Sequence, residues 1–275
     1  MTPTKRGFFY ASMRVFDLSI GEMLWSKRTV FMGLLVGVPL VIACILRLGF
    51  ELGAPSLRVN NTAMPGPVIF AFFLWLLYIR FTVPLLGVFY GTSLIADEVE
   101  DKTITYLFSR PIPRGAVLFG KYLAYLMCTV FVVLPSITLV WLLVVPINGF
   151  LGPSFPDLVK DLGLLAVGLA AYGAVFAVAG AVLKRPLLVG LIFVIGWEPL
   201  VMLIPGYLKR LSVAYYLEAL VPQAMPGNSP LSLIQELFRE TPSLTKSLVS
   251  LSVIVGVSLW LAARAVARRE YVLEQ

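Results

Sequence analysis

Residues 117–145 read VLFGKYLAYLMCTVFVVLPSITLVWLLVV, and this stretch decides the fold class. A bilayer core of about 30 Å needs roughly 20 consecutive apolar residues to cross it as one helix. The stretch is longer than that, and its only charge is Lys121, close to its start. Comparable runs occupy about 30–48, 67–94, 162–183, 187–204 and 248–266. The expected fold is therefore an all-α integral membrane protein with six transmembrane helices. The second run is long enough to tilt or kink, and Pro84 lies inside it.

Composition agrees with that reading. Of 275 residues, 59% are hydrophobic and only 13% charged, and the mean hydropathy is +0.90. Ordinary soluble chains are about 25% charged, so a water-covered surface of this size would go short of charge. Histidine is absent, which removes Ser-His-Asp triads, imidazole acid–base chemistry and His-ligated metals. Cys44 and Cys128 each lie inside an apolar run, where free cysteine behaves as a small hydrophobe. Two cysteines are too few for a cysteine metal cluster. No metal site and no bound cofactor are expected in this chain.

The net charge of +7 has two readings, nucleic-acid binding or membrane topology, and its distribution decides between them. Six spans put both termini on one side. That side holds fourteen Lys and Arg, in the N-terminal segment, between the second and third spans, in the Lys184-Arg185 turn and in the tail. The other side holds seven: Arg47, Arg58, Lys160, Lys209, Arg210, Arg239 and Lys246. A two-to-one bias concentrated in short segments places both termini in the cytoplasm. The expected location is the cytoplasmic (inner) membrane, multi-pass, with lipid as the surroundings and no nucleic-acid partner.

The chain reads as one domain, 1–275, with three distinctive segments. In 1–28, Phe9, Met13, Phe16, Ile20, Met23 and Leu24 recur at helical spacing with Arg14, Asp17 and Glu22 between them. That pattern predicts an amphipathic interfacial helix on the cytoplasmic side, and no signal-peptide cleavage site follows it. In 206–245, tyrosines and leucines mark two short helices in an extracytoplasmic loop, serving either as a closure of the outer mouth or as interfacial anchors. The third segment, 95–116, joins the second and third spans.

Residues 91–126 read GTSLIADEVEDKTITYLFSRPIPRGAVLFGKYLAYL. Asp97, Glu98, Glu100 and Asp101 form an acidic cluster that the positive-inside rule does not call for. Ile104, Leu107 and Phe108 then fall on one helical stripe, and Pro111 and Pro113 stop the helix. The pattern describes a rigid element that projects acidic and apolar side chains into the cytoplasm. Its matching positions are Gly91, Ser93, Ile95, Ala96, Glu98, Glu100, Thr103, Leu107, Ser109, Pro111, Ile112, Arg114, Gly120 and Lys121. In this order they resemble the permease subunits of type-two ATP-binding-cassette exporters. Lys102 stands where that family often has Gly, and Phe108 where Leu is common.

The resemblance implies an ABC transporter permease that pairs with a second permease protomer, as a homodimer or as a heterodimer with a similar permease. It implies two separately encoded ATPase subunits that carry the ATP and magnesium. It also makes the 95–116 segment a coupling helix, with Glu98, Glu100, Thr103, Leu107, Phe108 and Arg114 as docking residues; by charge, Arg114 and Glu98 suit a pair that braces the turn. By the same resemblance the first and fifth spans are the expected dimer contacts. An ion-driven secondary transporter is one alternative, although the halves show no internal repeat. A membrane subunit that passes force to an envelope partner without moving a substrate is another.

Several lesser signals complete the reading. Gly115 to Lys121 has the spacing of a phosphate-binding loop, but Tyr122 stands where the loop needs Ser or Thr, and no strand precedes it. The chain itself is therefore not expected to be an ATPase, or an enzyme of any kind. Arg80 and Glu198 are ionisable residues inside apolar runs. Such charges are costly and by default suggest function. They could pair, line a substrate path or transmit motion, or Arg80 could snorkel and Glu198 could reach the outer interface. Gly33-xxx-Gly37, and Gly173, Ala177 and Ala181, are small-residue faces expected to serve packing within the chain. Asn60-Asn61-Thr62 is a glycosylation triplet of the kind that occurs by chance.

Overall fold

In the computed structural model the described residues are 8–24, 27–53, 58–59, 62–100, 114–147, 149–203, 207–221 and 242–268. They form helices α1 (Phe8–Leu24), α2 (Lys27–Glu51), α3 (Gly66–Asp97), α4 (Arg114–Val144) and α5 (Leu151–Val182). These are followed by α6 (Pro186–Val201), α7 (Val213–Glu218) and α8 (Leu244–Arg268). The helical path of α3 continues through one more turn to Glu100. A 3₁₀ turn, Tyr207–Leu211, precedes α7. The only strands among the described residues are Arg58–Val59 and Thr62–Ala63, paired antiparallel between α2 and α3.

Among the described residues five helices, α2, α3, α4, α5 and α8, are long and apolar enough to cross a membrane. The sequence reading expected six spans, the fifth of them at 187–204. The corresponding α6 is shorter, roughly 24 Å at 1.5 Å per residue, and a π-helical turn at Phe193–Trp197 interrupts it. The other helices run beyond the apolar windows. α5 starts at Leu151 rather than near 162, its first turns packed through buried Leu158 and through Phe155, whose ring lies 6.3 Å from that of Trp141 in α4.

The direction of each helix follows from its contacts. At one end of the bundle Arg28 of α2 meets Asp97 of α3 at 2.7 Å. At the same end Arg114 Nη1 donates to the carbonyl of Ala267 in α8 at 3.2 Å, and the ring of Phe8 lies 6.2 Å from that of Phe119. The first and last helices therefore meet at one end, which we call the basic end. At the opposite end Gly66 N–H donates to the carbonyl of Ile147 at 2.7 Å, joining the start of α3 to the end of α4.

Close contacts at small residues let the helices approach. A Cβ at Gly180 of α5 would meet the backbone of Thr92 in α3, with Cα at 3.1 Å, and Gly91 sits equally close to Gly173 and Phe176. Gly173 itself faces the ring of Tyr125, and Ala177 and Ala181 are fully buried, so that small-residue face packs within the chain as expected. Gly33 and Gly37 do not. Nothing lies within 4 Å of a Cβ built at either, which corrects the expectation of internal packing for the first span. The reason is that α2 touches the bundle through Met32, Val36 and Ala43, a different face.

Buried hydroxyls add cross-links that no apolar periodicity announces. Ser136 of α4 donates to the carbonyl of Val36 in α2 at 3.1 Å, so Tyr78 of α3 must be the donor in its 2.8 Å bond to the same Ser136. Tyr122 and Tyr125 of α4 donate to the carbonyls of Ala170 and Leu169 in α5, each at 2.8 Å. Interhelical hydrogen bonds of this kind contribute roughly 0.6–2 kcal/mol each in lipid.

α1 lies against the start of α4. Ala11, Ser12, Val15 and Ser19 are buried there, and a Cβ at Gly120 would stand 2.5 Å from the Ser12 carbonyl. Phe9, Met13 and Leu18 point away from the bundle and are exposed. The helix thus has a small-residue face for protein and an apolar face left over.

Candidate functional site

The two intramembrane charges singled out from sequence come together, although not with each other. Arg80 sits in a π-helical stretch of α3, Phe73–Thr82, where Thr82 Oγ1 donates to the carbonyl five residues back, Leu77, at 2.8 Å. Glu198 directly follows the π-helical turn of α6. A π turn adds a residue per loop and re-aims the side chains beyond it, and such turns recur at functional sites.

Arg80 Nη2 pairs with Glu218 Oε1 of α7 at 2.7 Å, the two side chains being 20% and 25% exposed. Trp75 Nε1 donates to the same Glu218 oxygen at 3.2 Å, and the Arg80 guanidinium lies 5.6 Å from the Trp75 ring centre. Burial pushes the Glu218 carboxyl above the ordinary carboxylate range, with Arg80 and the Trp75 bond pulling the other way. Glu198, only 3% exposed, accepts a 2.5 Å bond from Tyr172 of α5 and a long 3.5 Å contact from Ser212, ahead of α7. The backbone of Ala214 also bonds it.

Together these contacts tie α7 to α3 through Glu218, and to α5 and α6 through Glu198. One cation is set among two carboxylates, with neutral donors covering the second. The arrangement holds a short helix against three long ones by buried charge and hydrogen bonds. Arg80 stands seventeen residues from Asp97, roughly 25 Å along α3. On that scale the cluster lies in the half of the bundle away from the basic end.

Neither Arg80 snorkelling to water nor Glu198 reaching an interface describes what is found. Glu218, Trp75, Tyr172 and Ser212 went unnoticed in sequence. Arg80 in an apolar run demands a carboxylate, but whether Glu198 or Glu218 supplies it depends on how α6 and α7 fold back.

The 95–116 docking residues are placed less fully. Glu98 and Glu100 belong by backbone to the last turn of the α3 path, and their side chains lie outside the described residues. Thr103, Leu107 and Phe108 also lie outside them, as do Asn60, Asn61 and the second short helix expected near 231–238. Arg114 opens α4 and bonds Ala267, as above. Gly115 to Lys121 is continuous helix in α4, not a loop. A phosphate-binding loop needs its backbone N–H groups free to face the phosphates, and a helical backbone turns them inward.

A family profile described as "ABC-2 family transporter protein" matches residues 9–269. The chain belongs to this ABC-2 transporter family. The match runs from the second residue of α1 to just past the end of α8, so the whole helical bundle is family architecture. This ABC-2 protein is accordingly a multi-pass membrane subunit of an ABC transporter. A comparison with curated proteins gives no match. The clamp of Arg80, Glu218 and Glu198 is thus a feature of the membrane part of an ABC-2 transporter, inside the bundle and away from its basic end.

Proposed function

We propose that this chain is the permease subunit of an ATP-driven exporter, working as a homodimer on two copies of a separate ATPase subunit. The observation that carries the reading is the family match over 9–269. On this reading the chain is one permease domain, 1–275, with six spans. α6 makes the fifth crossing together with the residues that follow it, and both termini are cytoplasmic. The meeting of α1, the start of α4 and the end of α8 at the basic end supports that topology, because basic segments stay on the cytoplasmic side. α1 lies in the interface with Phe9, Met13 and Leu18 in lipid.

The 95–116 segment is the coupling helix. Leu107 and Phe108 fill an apolar groove on the ATPase, Glu98, Glu100 and Thr103 meet its polar rim, and Arg114 anchors the far end to α8. ATP and magnesium are bound by the ATPase, and this chain holds no cofactor. Closure of the two ATPases moves the coupling helices and shifts the permease dimer between inward-open and outward-open states.

Affinity purification of the tagged permease from its native membrane in mild detergent tests the complex. Recovery of a roughly equimolar ATPase subunit is the expected result. A permease that emerges alone and shows ion-dependent transport in vesicles makes the secondary-transporter reading the better one. Robust ATPase activity without transport in loaded vesicles favours force transmission to an envelope partner. Glu98→Lys and Phe108→Asp are expected to leave insertion intact while reducing ATPase recovery about tenfold or more, since each buries a wrong charge at a docking surface. Normal recovery and turnover in both variants removes the role assigned to 95–116.

The open Gly33 and Gly37 face supports a dimer contact through α2, since small residues let helix backbones approach. Gly37→Val is expected to lower the dimer fraction in cross-linking by severalfold while leaving the thermal midpoint of the monomer unchanged. An unaltered dimer fraction moves the seam elsewhere.

A further inference from the structure

α7 is six residues long, well short of the roughly 12–15 that hold a helix on their own. Its sequence is also poorly suited to either end. Ser212 stands at the N-cap position without a side-chain bond into the helix. Glu218 closes the helix, where the backbone dipole repels a carboxylate. Neighbouring helices supply what is missing. Glu198 of α6 accepts the backbone N–H of Ala214, the second residue of α7, and so takes the place of an N-cap side chain. Arg80 of α3 sets a cation against the C-terminal carboxylate at 2.7 Å. Buried Leu217 adds an apolar anchor, seated in the notch that Gly168 of α5 leaves beside Val83.

Both polar clasps come from helices that are wound as π at that point. Arg80 lies within Phe73–Thr82, and Glu198 directly follows Phe193–Trp197. Ten residues of π winding in α3 is unusual, since this geometry mostly occurs as single turns. Return of such a segment to α geometry moves the side chains beyond it by one residue, about 100° round the axis. Either clasp would then face away from α7. α3 is one helix from Arg80 to Asp97 at the basic end, so a change in its winding has a continuous path between the two ends.

We propose that α7 is a conformational switch element, ordered and docked only while α3 and α6 keep their π turns. When either segment returns to α geometry, Arg80 or Glu198 swings away and α7 is freed at the end opposite Asp97. On the reading of this chain as an ATP-driven permease, that release is the outer-end part of the shift between inward-open and outward-open states. The release itself is a property of this chain, so it is tested without the ATPase, and its failure is read separately from failure of that reading.

The full-length protein in nanodiscs carries a trifluoromethyl label on Leu211→Cys, an exposed position two residues ahead of α7, with Cys44→Ser and Cys128→Ala as background. Fluorine NMR reads the populations. Deletion of Gly196, an open position within the α6 π turn, returns that turn to α and supplies the resonance of freed α7. If the deletion does not fold, the new resonance shared by the two substitutions below takes its place. Without either change the clasped resonance is expected to dominate. Glu218→Gln is expected to raise the freed population about tenfold, within the usual range of coupling between sites. Trp75→Phe removes one bond to Glu218 and keeps a ring beside Arg80, for a rise of about fivefold. It gives the readout should Glu218→Gln fail to fold. Glu51→Gln breaks the pair with Arg47 at the same end but away from α7, and is expected to change nothing. A deletion variant whose spectrum matches the undeleted protein overturns the proposal. So does the absence of a rise in Glu218→Gln and Trp75→Phe, or an equal rise in Glu51→Gln.

Discussion

Arg80→Ala is expected to destabilise the folded protein in mild detergent by about 3 kcal/mol at neutral pH, read from thermal or denaturant unfolding. The change strands the Glu218 carboxylate in a site that is mostly closed to water, and breaking one side of such a pair typically costs about 3–5 kcal/mol. The lower end applies because both side chains keep some exposure. Two further outcomes separate charge from packing. Glu218→Gln in the Arg80→Ala background should restore a good part of the loss, because the neutral amide can still accept from Trp75 and leaves no buried charge.

Acidification should also shrink the deficit. Glu218 is held above the ordinary carboxylate range by burial, so its contribution to stability is fully present below its unfolded value of about 4.3. That contribution is lost as pH rises through the folded value. Losing Arg80 raises the folded value further, so the deficit is greatest at neutral pH and fades as Glu218 takes up a proton. A deficit that does not vary with pH, and that Glu218→Gln does not relieve, means the guanidinium acts there only as bulk.

Gly180→Val is expected to cost about 3 kcal/mol or prevent assembly of the bundle, measured by recovery of folded protein and by its unfolding midpoint. The first added carbon would collide with the carbonyl oxygen of Thr92 and stand 3.0 Å from its carbonyl carbon. A backbone cannot swing aside as a side-chain tip can, so α3 and α5 must separate, and overpacking of this kind typically costs about 1–3 kcal/mol or more. Gly163→Val, on the same helix and with nothing within 4 Å, is the matched control within the chain. Equal stability of the two variants would show that α3 and α5 can part freely at this level.

The legibility of the fold divides along the range of the interactions. Apolar runs are local, and they placed α2, α3, α4 and α8 to within a few residues. Helix ends outside lipid were less legible, as the eleven extra residues of α5 show, because hydropathy is blind to a helix that continues in water. The family signature was legible because fourteen positions in 91–121 are close in sequence, and the match over 9–269 bears it out. The two odd charges were also visible, since any ionisable residue in an apolar run stands out. Their partners were not.

What the sequence by itself determined is that this chain is a helical, multi-pass protein of the ABC-2 family, for which local apolarity and one short motif suffice. Only the tertiary structure decided that Arg80 belongs to Glu218 and Glu198 to Tyr172. It alone showed that the small face of α5 is filled while that of α2 stands open. The physical reason is common to these cases. Each depends on how one helix turns about its own axis relative to another, and in α3 and α6 the π turns reset that rotation. A hydropathy pattern says that a segment is buried in lipid, whereas the direction of each side chain is set by another helix, which for Arg80 and Glu218 lies more than a hundred residues away.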